Sequence, residues 1–171
     1  MNAVERGWKG MNVDEHREAA TVRALRGFLL VLFLIGLLGT GVELLLLDHT
    51  EDVWQWTPLI LMMISLVVLS WRIVDRKPAS MRVFQGTMAL FVVSGFVGLL
   101  LHYQGNAEFE VEMYPTLKGL ELFWEAVQGA TPALAPGTMI QLGLLGLAYT
   151  YRHPALIKST EKTSNNNGET S

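Results

Sequence analysis

Four long apolar runs constrain this 171-residue chain more than any other feature. They cover residues 27–47, 57–74, 83–103 and 134–151, and the first reads GFLLVLFLIGLLGTGVELLLL. A helix needs about 20 predominantly apolar residues to cross the hydrocarbon core of a bilayer. The first three runs meet that length, and the fourth approaches it when the residues before Pro136 are included. The pattern predicts an all-α membrane protein with four transmembrane helices arranged as a four-helix bundle.

The composition supports a membrane protein and excludes several kinds of chemistry. Half of the residues are hydrophobic, and only 17% are charged, against roughly 25% in an average soluble domain. Because the chain has no cysteine, it has no disulfide, thiolate nucleophile or cysteine-ligated metal. The net charge of −3 argues against a nucleic-acid partner. No phosphate loop, HExxH or serine-nucleophile motif is present, so we expect a non-catalytic protein.

The distribution of lysine and arginine predicts the orientation. Every such residue except Lys118 lies before the first run, at the end of the second run or between it and the third, or after the fourth. Basic residues concentrate in cytoplasmic loops, so we expect both termini to be cytoplasmic in the inner (plasma) membrane of a bacterium-like cell. The predicted parts are a cytoplasmic N-terminal helix or arm (1–26), the transmembrane domain (27–151) with an outer loop (104–133), and a disordered cytoplasmic tail (152–171).

The outer side of this topology is strongly acidic. The first outer connection contributes Asp48, Glu51 and Asp52, and the long outer loop contributes Glu108, Glu110 and Glu112. An anionic surface attracts cations or a basic partner by its summed field. We therefore expect an acidic outer face, although a solvated rim with local helix-capping roles is the simpler alternative.

A metal site is the sharpest hypothesis for this face. His49 and His102 are expected at similar depth, and a divalent metal ion could be bound by carboxylates and imidazoles together. The predicted ligands are Glu43, His49, Glu51, His102 and Glu108. The two histidines also permit a b-type haem, because haem iron accepts histidine.

The outer loop begins with an alternating segment, EFEVEM, at residues 108–113. In an extended strand, alternate side chains share a face. The pattern therefore predicts one face of three glutamates and an opposite face of Phe109, Val111 and Met113 resting on the bundle. The following residues predict an amphipathic helix that opens at Pro115, closes at Gly129 and lies at the outer membrane interface. A cap across the bundle mouth is the alternative.

Three functions follow as hypotheses from these features. The first is an accessory membrane subunit whose acidic outer face binds a cation or a basic partner. The second is an oligomeric proton or cation transport component that uses Glu43 and Gln141, since ionisable groups inside a membrane are costly and mark pathways. The third is a haem-carrying redox subunit. Clustered glycines in the runs favour close helix packing, either within the bundle or across a homo-oligomer.

Overall fold

The computed structural model describes residues 3–48, 52–75, 77–129 and 135–156, and within these ranges it contains helices and turns but no strand. Side chains are described from residue 16 onward. The five helices are α1 (Ala3–Leu46), α2 (Val53–Val74), α3 (Pro78–Met113), α4 (Gly119–Gln128) and α5 (Gly137–Thr150). The predicted all-helical class is confirmed for the described residues.

Three of these helices are long and apolar enough to cross a membrane. They are the His16–Leu46 part of α1, all of α2 and all of α3, with mean hydropathies of 2.5, 2.0 and 1.9 in their most apolar windows. The fourth apolar run forms α5, which has only 14 residues and is therefore about 21 Å long at 1.5 Å per residue. Length and composition thus support a multi-pass membrane protein but do not show four crossings.

Helices α1 and α3 extend well beyond the apolar runs that predicted them. Residues 3–26 of the predicted N-terminal arm and residues 27–46 of the first run form one continuous helix of 44 residues, about 66 Å long. Helix α3 has 36 residues and is about 54 Å long, whereas a hydrocarbon core is about 30 Å thick. Because the apolar run of α3 ends near residue 103, its surplus length lies at its C-terminal end.

The strand predicted for residues 108–113 is wrong, because α3 continues without a break to Met113. Adding a residue to an existing helix gains a backbone hydrogen bond at little nucleation cost, and alanine, glutamate and methionine are good helix formers. An isolated strand would leave its backbone groups without partners. The helix ends at Tyr114, where the following Pro115 disfavours helical dihedrals.

Helix α5 packs against α3 and α1, and α3 also contacts α2 and α4. Glycines allow backbone-to-backbone approach here: a Cβ atom at Gly143 would lie 2.7 Å from the Met88 carbonyl oxygen, and one at Gly95 would lie 2.9 Å from the Ile140 nitrogen. At Gly36, a Cβ atom would lie 2.8 Å from Leu142 Cδ2. These glycines therefore serve packing within one bundle, as expected where lipid provides no hydrophobic drive for helix association.

An aromatic cluster links α1 and α3 in the core. Phe33 of α1 meets Phe84 edge-to-face at 5.7 Å between ring centroids and Phe91 at 6.4 Å, and all three side chains are fully buried. Edge-to-face contacts add to the stabilisation that burial provides. The large apolar side chains on the outer surfaces of α1, α2 and α3 are exposed, as suits helices that face lipid.

Helix α4 packs against the C-terminal part of α3. We call the segment from residue 103 to residue 128, which contains this part of α3 and all of α4, the outer cap, after the side of the membrane on which the sequence predicts it. Helix α4 begins at Gly119 rather than at Pro115, and Pro115 lies in the preceding turn. Gly129 follows its last residue, as predicted. The outer loop is thus largely two packed helices rather than a strand followed by a helix.

Candidate functional site

The first outer connection is bounded by two acidic residues that end and begin helices. Asp48 follows α1 with a φ of 51°, a left-handed conformation that aspartate tolerates better than most residues. Asp52 precedes α2, and its backbone N–H donates to Gln55 Oε1 at 3.3 Å, which is one half of a capping box. Both acids therefore have local structural roles, and both side chains remain exposed.

Three of the five predicted metal ligands lie within the described residues. His49 and Glu51 lie outside the described residues. Within the described ranges, no group of three or more His, Asp or Glu side chains is close enough to hold a metal ion. Glu43 and Glu108 are exposed, and His102 is half-buried. The structure thus gives no support to a shared metal site, and the haem hypothesis, which needs His49, stays a prediction.

Glu43 and Gln141 do not face the interior of the bundle. The core side of α1 carries Phe33 and Leu37. Glu43 follows Leu37 by six residues, which at about 100° per residue is a rotation of about 240° beyond one full turn, so the two side chains point in different directions. Its side chain is exposed, as is that of Gln141 on α5. A proton or cation path inside one bundle is therefore not supported by these residues. An exposed carboxylate on a membrane helix suits contact with headgroups or with a neighbouring subunit.

The outer cap presents its carboxylates on separate helical faces. Glu108 and Glu112 are four residues apart and lie on one side of α3, whereas Glu110 lies about 200° away and is partly buried. The single ridge of three carboxylates expected from a strand does not exist. On α4, Glu121 and Glu125 are likewise four residues apart and exposed. The cap is therefore acidic on several faces without converging on one point.

Apolar side chains of the cap are exposed beside these carboxylates. On α4, Ala126 is fully buried against α3, while Leu120 is 78% and Trp124 57% exposed. Helix α4 thus contacts α3 through Ala126 and Phe123, whereas Leu120 and Trp124 stay largely exposed. Exposed leucine and tryptophan on a short amphipathic helix suit either the membrane interface or a protein contact.

Asn106 holds the cap together, and the sequence alone did not identify it. Its side chain is only 5% exposed, and its Nδ2 donates to the carbonyl oxygen of Ala126 at 2.8 Å. A Cβ atom at Gly129 would lie 2.8 Å from Asn106 Cγ, so the end of α4 is fitted closely to this side chain. Tyr103 and Phe123 add a ring contact at 5.9 Å. An asparagine in an otherwise polar stretch gives no sequence signal that it is buried.

The described residues form an all-helical fold with three helices long and apolar enough to cross a membrane, which is compatible with a multi-pass membrane protein. Comparisons with protein-family models, with curated proteins and with solved structures gave no match for the chain. Its function is therefore argued from its own residues.

Proposed function

We propose that this chain is a non-catalytic, four-crossing protein of a bacterium-like inner membrane, and that it acts as an accessory subunit whose outer cap docks a basic protein partner. The exposed cap, with its dispersed carboxylates and neighbouring apolar side chains, is the observation that carries the proposal.

Contacts at both ends of α5 support a fourth crossing. At its start, Pro136 packs closely against Gly98 of α3. A Cβ atom added at Gly98 would lie only 2.7 Å from Pro136 Cβ. At its end, Arg26 Nη2 donates to the carbonyl oxygens of Tyr151 and Arg152 at 3.3 and 2.8 Å. Helix α5 therefore extends from near the outer end of the α3 run to the level where the α1 run begins. A short span of this kind is accommodated by local bilayer thinning and by flanking residues.

The proposed topology predicts on which side of the membrane a single introduced cysteine can be labelled. Because the chain has no cysteine of its own, any labelling comes from the introduced residue. We expect a membrane-impermeant maleimide to label Lys118→Cys in intact right-side-out cells, and to label Glu18→Cys and Tyr151→Cys only after permeabilisation. All three positions are exposed, so the permeabilised sample controls for reactivity. Labelling of Tyr151→Cys in intact cells would contradict the fourth crossing.

The arrangement of the cap favours a protein partner over a bound ion. Chelation needs several oxygen ligands at about 2.0–2.6 Å from one cation, and the described carboxylates do not form such a group. Charges spread over a surface instead steer a complementary partner and fix its register. Exposed aromatic and large apolar side chains, such as Trp124 and Leu120, are typical of the central part of a protein interface.

Neutralising acids on the cap should weaken partner docking. The measurement is crosslinking in native membranes from a Lys118→Cys probe to the partner. We expect the double variant Glu121→Gln/Glu125→Gln to reduce this crosslinking several-fold at low salt. The reduction should be smaller at high salt, because salt screens surface charges. The control is Glu15→Gln/Glu18→Gln in the N-terminal arm, which removes the same charge on the opposite predicted side and should leave crosslinking unchanged.

Two results would contradict the docking proposal. One is that the cap variant crosslinks to the partner protein as strongly as the control variant does. The other is tight binding of a divalent cation by the purified protein that is lost in both Glu43→Gln and His102→Ala, which would favour the metal site instead. A protein that is colourless after purification would count against the haem alternative.

A further inference from the structure

Three basic side chains come together at the inner end of the bundle, two from helices and one from the turn after a third helix. Arg26 lies on α1, Arg72 in the last turn of α2 and His153 just after α5; we call them the inner basic cluster. The two hydrogen bonds from Arg26 Nη2 to carbonyl oxygens after α5 fix its guanidinium there. Burial, Arg72 and Arg26 together lower the pKa of His153 below 6.5, which places both arginines within electrostatic range of the imidazole.

The cluster has positive charge without a matching carboxylate. Within the described residues, no acidic side chain opposes the effect of the two arginines on His153. The nearby Asp75 pairs with Lys77 at 3.2 Å. Arg72 Nη1 is buried and has no hydrogen-bond partner in the described part of the chain. A buried, unpaired guanidinium N–H is costly, so the site is suited to an anion.

The available hydrogen-bonding groups are donors. Nδ1 of His153 accepts a hydrogen bond from the backbone N–H of Ala155 at 3.3 Å, so a neutral ring carries its proton on Nε2 and donates from there. Arg26 retains Nε and Nη1 as donors, since its bonds within the described residues use Nη2. A planar guanidinium matches the oxygen spacing of phosphate and can bind it with two parallel hydrogen bonds.

The position of the cluster indicates the source of the anion. Ile73 and Val74, next to Arg72, are 78% and 88% exposed, and Phe28 on α1 is also exposed. Exposed apolar side chains of this kind are suited to contact with lipid acyl chains. Basic pockets between transmembrane helices on the cytoplasmic side bind anionic headgroups.

We propose that the inner basic cluster binds the phosphate of an anionic phospholipid headgroup, with Arg72 and Arg26 as charged ligands and His153 Nε2–H as a further donor. The site ties the inner ends of α1, α2 and α5 to one lipid. It is independent of the outer cap and of the partner proposed for it.

Matched lipids test the phosphate directly on the full-length protein in detergent. We expect phosphatidic acid to raise the thermal unfolding midpoint, and diacylglycerol with the same acyl chains to leave it unchanged. Equal shifts with both lipids would overturn the phosphate site. Inorganic phosphate at the same concentration should have no effect; an equal shift with it would retain the phosphate site and overturn its assignment to lipid.

Substitutions locate the binding. Arg72→Gln should weaken the apparent affinity for phosphatidic acid roughly tenfold or more, the effect of losing a charge-assisted hydrogen bond. Arg23→Gln, which removes the same charge from an exposed position on α1, should leave the affinity unchanged. Equal losses in the two variants would show general attraction between basic residues and anionic lipid, and would overturn a specific site.

Two further measurements remain decisive if Arg72→Gln fails to fold. His153→Glu places a carboxylate beside both arginines, so it should raise the lipid-free unfolding midpoint and remove the response to phosphatidic acid; a full response in this variant overturns the proposal. In the wild type, a bound phosphate should raise the pKa of His153, because a nearby anion favours the imidazolium. NMR titration of the histidines follows this shift, and a His153 pKa unaltered by phosphatidic acid also overturns the proposal.

Discussion

Replacing Gly143 with leucine should separate α5 from α3 and destabilise the bundle by about 3 kcal/mol or more, at or above the upper end of the usual cost of overpacking a core. A Cβ atom at this position would lie 2.7 Å from the Met88 carbonyl oxygen and 3.0 Å from the Val92 nitrogen. Because these are backbone atoms of a helix, a rotamer change cannot relieve the overlap. Denaturant unfolding in detergent measures the loss, and Gly143→Ala should show a smaller loss in the same direction.

Two other glycines provide controls for this prediction. Gly39 has no heavy atom within 4 Å of a built Cβ atom and is exposed, so Gly39→Leu should leave stability nearly unchanged. At Gly146, the added Cβ atom would meet Sδ and Cγ of the Met88 side chain, and a side chain relieves an overlap by changing rotamer more readily than a helix backbone can shift. Gly146→Ala should therefore be milder than Gly143→Ala. Equal stability of Gly143→Leu and the wild type would contradict the placement of α5 against α3.

The sequence predicted the long helices because their physical signal is local and strong. Twenty consecutive apolar residues leave few alternatives to a buried or membrane helix, and the helices α1, α2 and α3 contain the first three runs. The glycines were recognised as packing residues, but not their partners. Which helix meets Gly143 depends on how α5 is inserted between α1 and α3, and no spacing within the chain encodes that arrangement.

The alternating segment shows how a local pattern can mislead. EFEVEM has the period of a half-buried strand, yet it continues a helix that already exists, and the described part of the chain contains no strand with which it could pair. Its phenylalanine, valine and methionine side chains are 41–57% exposed, so the alternation does not mark a buried face. Helix continuation pairs the backbone N–H groups of this segment with carbonyl oxygens four residues earlier in the same helix, and this outweighs the period-two pattern.

The candidate sites were predicted less well than the fold. Residue type and predicted depth suggested that Glu43, His102 and Glu108 share one site, but these criteria do not fix helix rotation. In the structure, Glu43 faces away from the core. The inner basic cluster was foreseen only as part of an orientation signal. Its convergence depends on the turn after α5, where Arg152 has a φ of 47° and the carbonyl oxygens of residues 151 and 152 accept the bonds from Arg26.

Substitution of Asn106 by alanine should detach α4 from α3 while leaving the membrane helices folded. The change removes the bond from Nδ2 to the Ala126 carbonyl oxygen and leaves that buried acceptor without this donor, at a cost of about 1–3 kcal/mol. Helix α4 has only ten residues and is too short to be stable without packing. Hydrogen exchange should therefore accelerate markedly at residues 119–128, and much less within α2 and α5.

Gln104→Ala is the matched control, because it removes an amide side chain from an exposed position on the same helix and should not alter exchange in α4. Unchanged protection of α4 in Asn106→Ala would show that ring contacts such as Tyr103–Phe123 hold the cap without the amide.

The Asn106→Ala variant also distinguishes partner docking at the cap from lipid binding at the inner basic cluster. Loosening α4 should reduce partner crosslinking from the cap, since Glu121 and Glu125 lose their fixed positions, but it should leave phosphatidic acid binding intact, because Arg26, Arg72 and His153 lie at the opposite end of the bundle.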